Sequence, residues 1–291
     1  FIRSFASVVP LSLPYHLFFI EGGAPAVENA LKTAFDWKKR LNFRRGSTAE
    51  GSRILHFREG FHGRTGYALS ITSSDSNKTD YFEKFDWPRL SNPELAFPVT
   101  ESILAATIKA ERRTIAEIEQ ALSDYPNDIA ALIVEPIQGE SGVHCATPEY
   151  LLGLRELCNE RNLLLLLDEV QCGHFRTGNF FGWQTIMAAH ADFAPDACSM
   201  GKSLAAGLPM GAIWASVPLQ DLLGPGTHGT TFGGTPLVSA HALKAIEIIE
   251  RDGLAQNAIE IGNYLAEQIG KLIATHPSVL REVRGLGLMI G

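Results

Sequence analysis

Apolar residues in this chain collect into short unbroken runs, separated by stretches where they recur every three or four positions. The run Leu163 to Leu167 is five consecutive leucines and predicts a strand buried on both faces. Further apolar runs predict strands at Leu17 to Ile20, Ser52 to Phe57, Ile129 to Val134, Ala197 to Met200 and Gly211 to Ser216. Between them, Ala26, Ala30, Leu31, Ala34, Phe35 and Leu41 fall at helical spacing, behind a Gly22-Gly23 turn and with Pro25 suited to a first helical turn. Helices are also predicted for Glu101 to Leu122, Pro148 to Arg161, the segment after the glycine-rich stretch at 224–234, and Leu254 to His276. Buried strands alternating with helices predict an α/β fold with a mostly parallel central sheet flanked by helices. The Pro148 to Arg161 helix would complete a right-handed β-α-β unit with the leucine strand. Ser73 to Pro98 is polar with embedded aromatics and prolines, so it is expected to be irregular and exposed, as a site rim or a subunit contact. The opening apolar stretch is interrupted by Pro10, Pro14 and His16, and is expected to be the end of a helix followed by a strand rather than a signal peptide.

Composition narrows the function classes. With 291 residues, 45% of them hydrophobic, the chain is long enough for one large domain and part of another. A net charge of -7, with no basic run longer than Lys38 to Arg40, argues against a nucleic-acid surface. No stretch approaches the roughly 20 apolar residues of a membrane span. Cys145, Cys158, Cys172 and Cys198 are scattered without a CxxC pair, which argues against a zinc site or a disulfide framework and favours a reducing cytoplasm.

The candidate chemistry sits at predicted strand ends. Asp168 and Glu169 emerge where the leucine strand stops, the edge at which open α/β sheets keep their ligands. Lys202 follows the Ala197 to Met200 strand between Gly201 and Gly207, which fits an amine on a tight turn. Singly, Asp168 reads as a helix cap and Lys202 as a surface charge. Together, a lysine and a carboxylate at adjacent strand ends meet the needs of pyridoxal phosphate (PLP). The amine forms an imine with the aldehyde, and the carboxylate keeps the pyridine nitrogen protonated. The Gly22-Gly23 turn opens a helix whose free amides can receive an anion. Phe61 and Arg64 lie on a glycine-containing loop after a strand, and His62 between them is expected to be structural. Glu135 and Glu140 follow the Ile129 to Val134 strand. The terminal Gly285-Leu-Gly-Leu-Met-Ile-Gly291 is expected to be a strand that contains its own glycines and precedes no helix, so it is rejected as a dinucleotide loop.

The segments DEVQCGHFRTG, PDACSMGKSLAAGLPMGA and HGTTFGGTPL resemble the class III (ω-amino) aminotransferases of PLP fold type I, and the resemblance covers essentially the whole chain. It implies that Lys202 carries the imine and Asp168 pairs with the pyridine nitrogen. Gly23 and Ala24 would hold the phosphate through backbone amides, and Phe61 and Val170 would pack on the two ring faces. Gln171 would bond the ring hydroxyl. Thr231 would reach the phosphate of the neighbouring subunit, making a homodimer with shared active sites. Arg64 would take a substrate carboxylate, and Glu140 would act as a switch paired with an arginine beyond Gly291; no metal is implied. FFIEGGAPAVENALKTAFDWK and FDWPR resemble lysine 6-aminotransferases, whereas QGESGVHCATPEYL, DEVQCGHFRTG and HGTTFGG are closer to acetylornithine and ornithine aminotransferases. The implied activity moves the terminal amino group of a basic amino acid, L-lysine favoured, to 2-oxoglutarate. Residues 1–252 are expected to form the PLP-binding large domain and residues 253–291 the beginning of a small C-terminal domain, with further segments of the protein at both ends. A PLP-fold chain without catalysis is the alternative from another class.

Overall fold

The computed structural model describes residues 1–9 and 15–291; the expected break at Pro10 and Pro14 lies outside them. Helix α1 (Ile2–Val8) precedes strand β1 (Tyr15–Ile20), which runs into the long helix α2 (Gly23–Arg44). Strand β2 (Arg53–Phe57), the single-turn helix α3 (Gly66–Ser70) and the two-residue strand β3 (Arg89–Leu90) follow, then helix α4 (Glu101–Asp124) and strand β4 (Ile129–Val134). A small hairpin of β5 (Ile137–Gln138) and β6 (His144–Cys145) leads to helix α5 (Pro148–Arg161) and the leucine strand β7 (Leu164–Asp168). The chain continues through α6 (Gly182–Ile186), β8 (Ala197–Met200) and β9 (Gly211–Ser216) to the packed helices α7 (Pro236–Arg251) and α8 (Leu254–Thr275), and ends in the hairpin β10 (Gly285–Leu286) and β11 (Met289–Ile290).

Seven strands form one sheet in the order β1-β9-β8-β7-β4-β2-β3. Pairings from β8 through β3 are parallel, and β9 runs against both of its neighbours. The expected α/β fold with a mostly parallel sheet is what the chain adopts. The central leucines explain why β7 is in the middle. Leu165 and Leu167 enter a core on one face with α5 and α7, and Leu164 and Leu166 enter a second core on the other face with α2. Side chains alternate across a strand, so only a sheet covered on both faces can bury all four, at roughly 1.5–3 kcal/mol each.

Local signals set the helix ends. Thr147 accepts a hydrogen bond from the Tyr150 amide at 3.1 Å, Pro148 opens α5, and Asn162 closes it in the left-handed region at φ 55. Gly211 lets β9 approach α2, because a Cβ there would lie 2.2 Å from the Gly22 carbonyl oxygen.

Two expectations are corrected. The Ser73–Pro98 stretch is irregular as expected, but part of it is inside the fold. Trp87 is 8% exposed and stacks on Phe85 at 5.1 Å between ring centres, and both rings pack with Tyr67; Trp87 also packs against Phe35 of α2. The end of the chain is a tight hairpin rather than one strand, since Gly287 takes φ 58 between β10 and β11.

Candidate active site

Five strand ends converge on one cavity. β1 delivers Gly23 and Ala24 at the start of α2, and the loop after β2 supplies Phe61, His62 and Gly63. β4 leads to Glu135 and Glu140, β7 to Asp168, Val170 and Gln171, and β8 to Lys202. These residues enclose about 210 Å³. That is below the roughly 300–1,000 Å³ of most ligand clefts and suits a small ring compound. Hollows of about 740 Å³ exist elsewhere, one against α4 and one beside residues 47–50, but neither gathers groups from more than one of these strand ends. Convergence rather than size marks the site.

Asp168 is held from three sides. Its Oδ1 accepts from the Val170 amide at 3.0 Å and from Ser199 Oγ at 3.1 Å, while His62 Nδ1 lies 2.7 Å from Oδ2. Both members of the His62–Asp168 pair are nearly fully buried, at 4% and 3% exposure. Burial works against the imidazolium, yet the hydrogen bond and charge of Asp168 outweigh it and His62 is raised above its ordinary value. Glu135 accepts from the Phe61 amide at 2.9 Å and the Gly139 amide at 3.1 Å, and burial pushes its carboxyl up to about 7.

Lys202 begins a short 3-10 turn with φ 46, a left-handed conformation that costs an L residue of order 1–2 kcal/mol. The residue is exposed and lines the cavity. Even so, desolvation by the surrounding protein lowers its amine below the ordinary lysine range, against the opposing pull of Asp168 and Glu135. A larger unprotonated fraction makes it a better nucleophile. The turn lies close to the helix start: a Cβ at Gly201 would stand 2.9 Å from Gly23 Cα, and one at Gly23 would stand 2.8 Å from Val170 Cγ1.

The positions singled out from sequence divide into two groups. Gly23, Ala24, Phe61, Glu140, Asp168, Val170, Gln171 and Lys202 all line the cavity. Arg64 and Thr231 do not; both are exposed. Glu140 pairs with Lys78, whose ammonium also lies 5.2 Å from the centre of the Phe61 ring. Sequence reasoning gave His62 no part in the chemistry, yet it contacts Asp168 directly; its place beside Phe61 was visible, but not the strand order that brings it to β7. Lys78 was passed over inside a stretch read as exposed rim.

The cavity fits PLP on its own terms. The first helical bond of α2 runs from the Ala26 amide to the Gly22 carbonyl at 3.0 Å, so the Gly23 and Ala24 amides lie in the first turn, where a helix has no partners of its own to offer. An anion can be received there, and the same cavity is lined by a buried carboxylate, Asp168, and an amine, Lys202.

A profile of the family described as aminotransferase class-III matches residues 1–291. The L-lysine-epsilon aminotransferase of Mycobacterium tuberculosis is 40% identical over 291 residues, covering 99% of this chain and 63% of that protein. The acetylornithine aminotransferase of Methanocaldococcus jannaschii is 34% identical over 290 residues, covering 100% of this chain and 65% of that protein. A solved structure of a lysine aminotransferase from M. tuberculosis in the internal aldimine form superposes with a TM-score of 0.88 at 38% identity, over 99% of this chain and 65% of that one. The chain thus spans about 63% of the length of the lysine relatives it matches. From its fold, its cavity and these likenesses together, the chain belongs to the class-III aminotransferases, a PLP-dependent family.

Proposed function

We propose that this chain carries the cofactor site of a transaminase that moves the terminal amino group of a basic amino acid, L-lysine first, to 2-oxoglutarate. The observation that carries it is the cavity holding Lys202 and Asp168 at neighbouring strand ends, in a chain 40% identical to L-lysine-epsilon aminotransferases over its length. When bound, PLP supplies an electron sink for the carbon that loses its proton. The protein's part is positional and electrostatic. Gly23 and Ala24 would hold the phosphate with backbone amides, Phe61 and Val170 would confine the ring, and Gln171 would bond its hydroxyl. Asp168, fixed by Val170, Ser199 and His62, would keep a negative charge at the ring nitrogen. Lys202 would anchor the cofactor, and its amine would take and return a proton as general base and acid. Its lowered amine pKa suits that exchange.

Arg64 is assigned to the substrate carboxylate, and Glu140 to a switch that holds and releases a cationic side chain. Guanidinium binds both carboxylate oxygens at once, and Glu140 already pairs with an ammonium, that of Lys78. Thr231, exposed and away from the chain's own cavity, is assigned to the cofactor phosphate of a second subunit. Residues 1–252 act as the large domain, with residues 253–291 opening the small one. The 34% identity to an acetylornithine aminotransferase supports acetylornithine or ornithine as the competing donor.

The protein loaded with PLP is mixed in turn with L-lysine, ornithine and N-acetylornithine, and loss of the cofactor's visible absorbance is followed. Lysine should convert it fastest. A faster acetylornithine reaction would reassign the donor, and no conversion by any amine would overturn transamination. Borohydride should trap PLP on Lys202 in the native protein and nothing in Lys202→Ala.

A further inference from the structure

Glu21 follows β1 and stands immediately before the Gly22-Gly23-Ala24 turn. Its Oε1 accepts three hydrogen bonds from one distant loop: Thr230 Oγ1 at 2.5 Å, the Phe232 amide at 3.0 Å and the Thr231 amide at 3.2 Å. Thr230 Oγ1 in turn accepts from the Gly233 amide at 2.9 Å. The loop is pressed against β1, since a Cβ at Gly233 would lie 2.6 Å from the Phe19 carbonyl oxygen, and Gly234 takes φ 70. One carboxylate therefore fixes three successive residues, while the Thr231 side chain and the 66% exposed Phe232 ring point away from the chain's own core. The charge is otherwise hard to justify. An anion two residues from a phosphate cradle repels the phosphate it serves, so its presence calls for a structural use.

We propose that Glu21 is a positioning residue whose carboxylate clamps the 230–233 loop in the shape that presents the Thr231 hydroxyl to the cofactor phosphate of a second copy of the chain. The proposal rests on the assignment of Thr231 to that phosphate made above. It links the start of one subunit's phosphate cradle to the loop that completes its partner's, and it holds the hydroxyl in place before the ligand arrives, which spares the ordering cost at binding. The Thr230 hydroxyl first, and then the loop amides, lower the Glu21 pKa, as expected of a carboxylate whose charged form accepts these hydrogen bonds.

The test compares PLP with pyridoxal, which lacks the phosphate, by titrating both into the native protein, Glu21→Ala, Glu21→Gln, Thr231→Ala and the Glu21→Ala/Thr231→Ala pair. Glu21→Ala should weaken PLP about tenfold, as expected for loss of one hydrogen bond to a charged group, and leave pyridoxal unchanged. Glu21→Gln, which keeps an accepting oxygen, should weaken PLP less. The double variant should bind PLP no worse than Thr231→Ala alone, because the clamp acts only through that hydroxyl. If the carboxylate were merely a nearby anion, its removal would tighten PLP. That result, unchanged PLP affinity, or equal weakening of PLP and pyridoxal, would overturn the clamp while a weakened Thr231→Ala left the phosphate assignment standing. Unchanged PLP affinity in Thr231→Ala would overturn both.

Discussion

His62 and Asp168 are 106 residues apart in sequence and 2.7 Å apart in space, with almost no solvent on either. Burial alone would keep the imidazole neutral; the adjoining carboxylate reverses that, so the folded-state pKa lies above the unfolded value of about 6.5. A raised histidine contributes stability that is fully present below the unfolded pKa and lost as pH rises through the folded one. His62→Phe should therefore cost about 2 kcal/mol near pH 5.5, of the size expected for a hydrogen bond to a charged group. The difference should shrink by pH 9. Urea unfolding of both proteins at the two pH values measures it, and a gap that widens with pH would contradict a charged His62. Lys202, Asp168 and the Gly22-Gly23 turn were legible in the sequence because residue type and position at a strand end are local facts. The role of His62 was not, because which loop faces Asp168 depends on β2 and β7 being separated by β4 alone.

Glu169, next to Asp168, shows how a strand end organises an element beyond the site. Its carboxylate is fully buried and accepts from the Gly182 amide at 2.8 Å, the Trp183 amide at 2.9 Å and Cys172 Sγ at 3.1 Å, tying the start of α6 to the end of β7. α6 has only five residues and little stability of its own, so this tether seats Phe181 and Trp183 in the core. Glu169→Ala removes the acceptor from two buried amides, each costing of order 1–3 kcal/mol when orphaned, and should destabilise the protein by about 3 kcal/mol in total. Denaturant midpoints check this; a change below about 1 kcal/mol would mean that water or a neighbour takes over the amides. Other elements were readable to within a residue or two: β4 and β8 fall where apolar runs predicted them, and α5 starts at Pro148 because Thr147 and Pro148 are local start signals. Trp87 was misjudged because its burial is supplied by Phe35 and Tyr67, on helices α2 and α3, which no pattern within residues 73–98 announces.

The parallel strands all present their carboxyl ends to one edge, and the cavity is stitched from the ends of β1, β2, β4, β7 and β8, so the site exists only while the sheet holds its order. The fold class was legible for a related reason: a double-sided leucine strand has few architectures open to it, and the helices found on both faces are what it requires. Because unfolding scatters the five contributing segments, the unfolded chain offers PLP no comparable site, and cofactor binding should appear as global stability. At a free PLP concentration 100 times its dissociation constant, the gain is about 2.7 kcal/mol. For a chain of 291 residues that is a rise in melting temperature of roughly 4–5 °C. Thermal unfolding at rising PLP concentration should show a midpoint that climbs logarithmically. Lys202→Ala should retain a smaller rise, because the phosphate cradle and Asp168 remain when the covalent anchor is gone. Asp168→Ala should reduce the rise as well, through loss of the charge at the ring nitrogen. A midpoint indifferent to PLP in the native protein would show that the convergent strand ends do not form a cofactor site in solution.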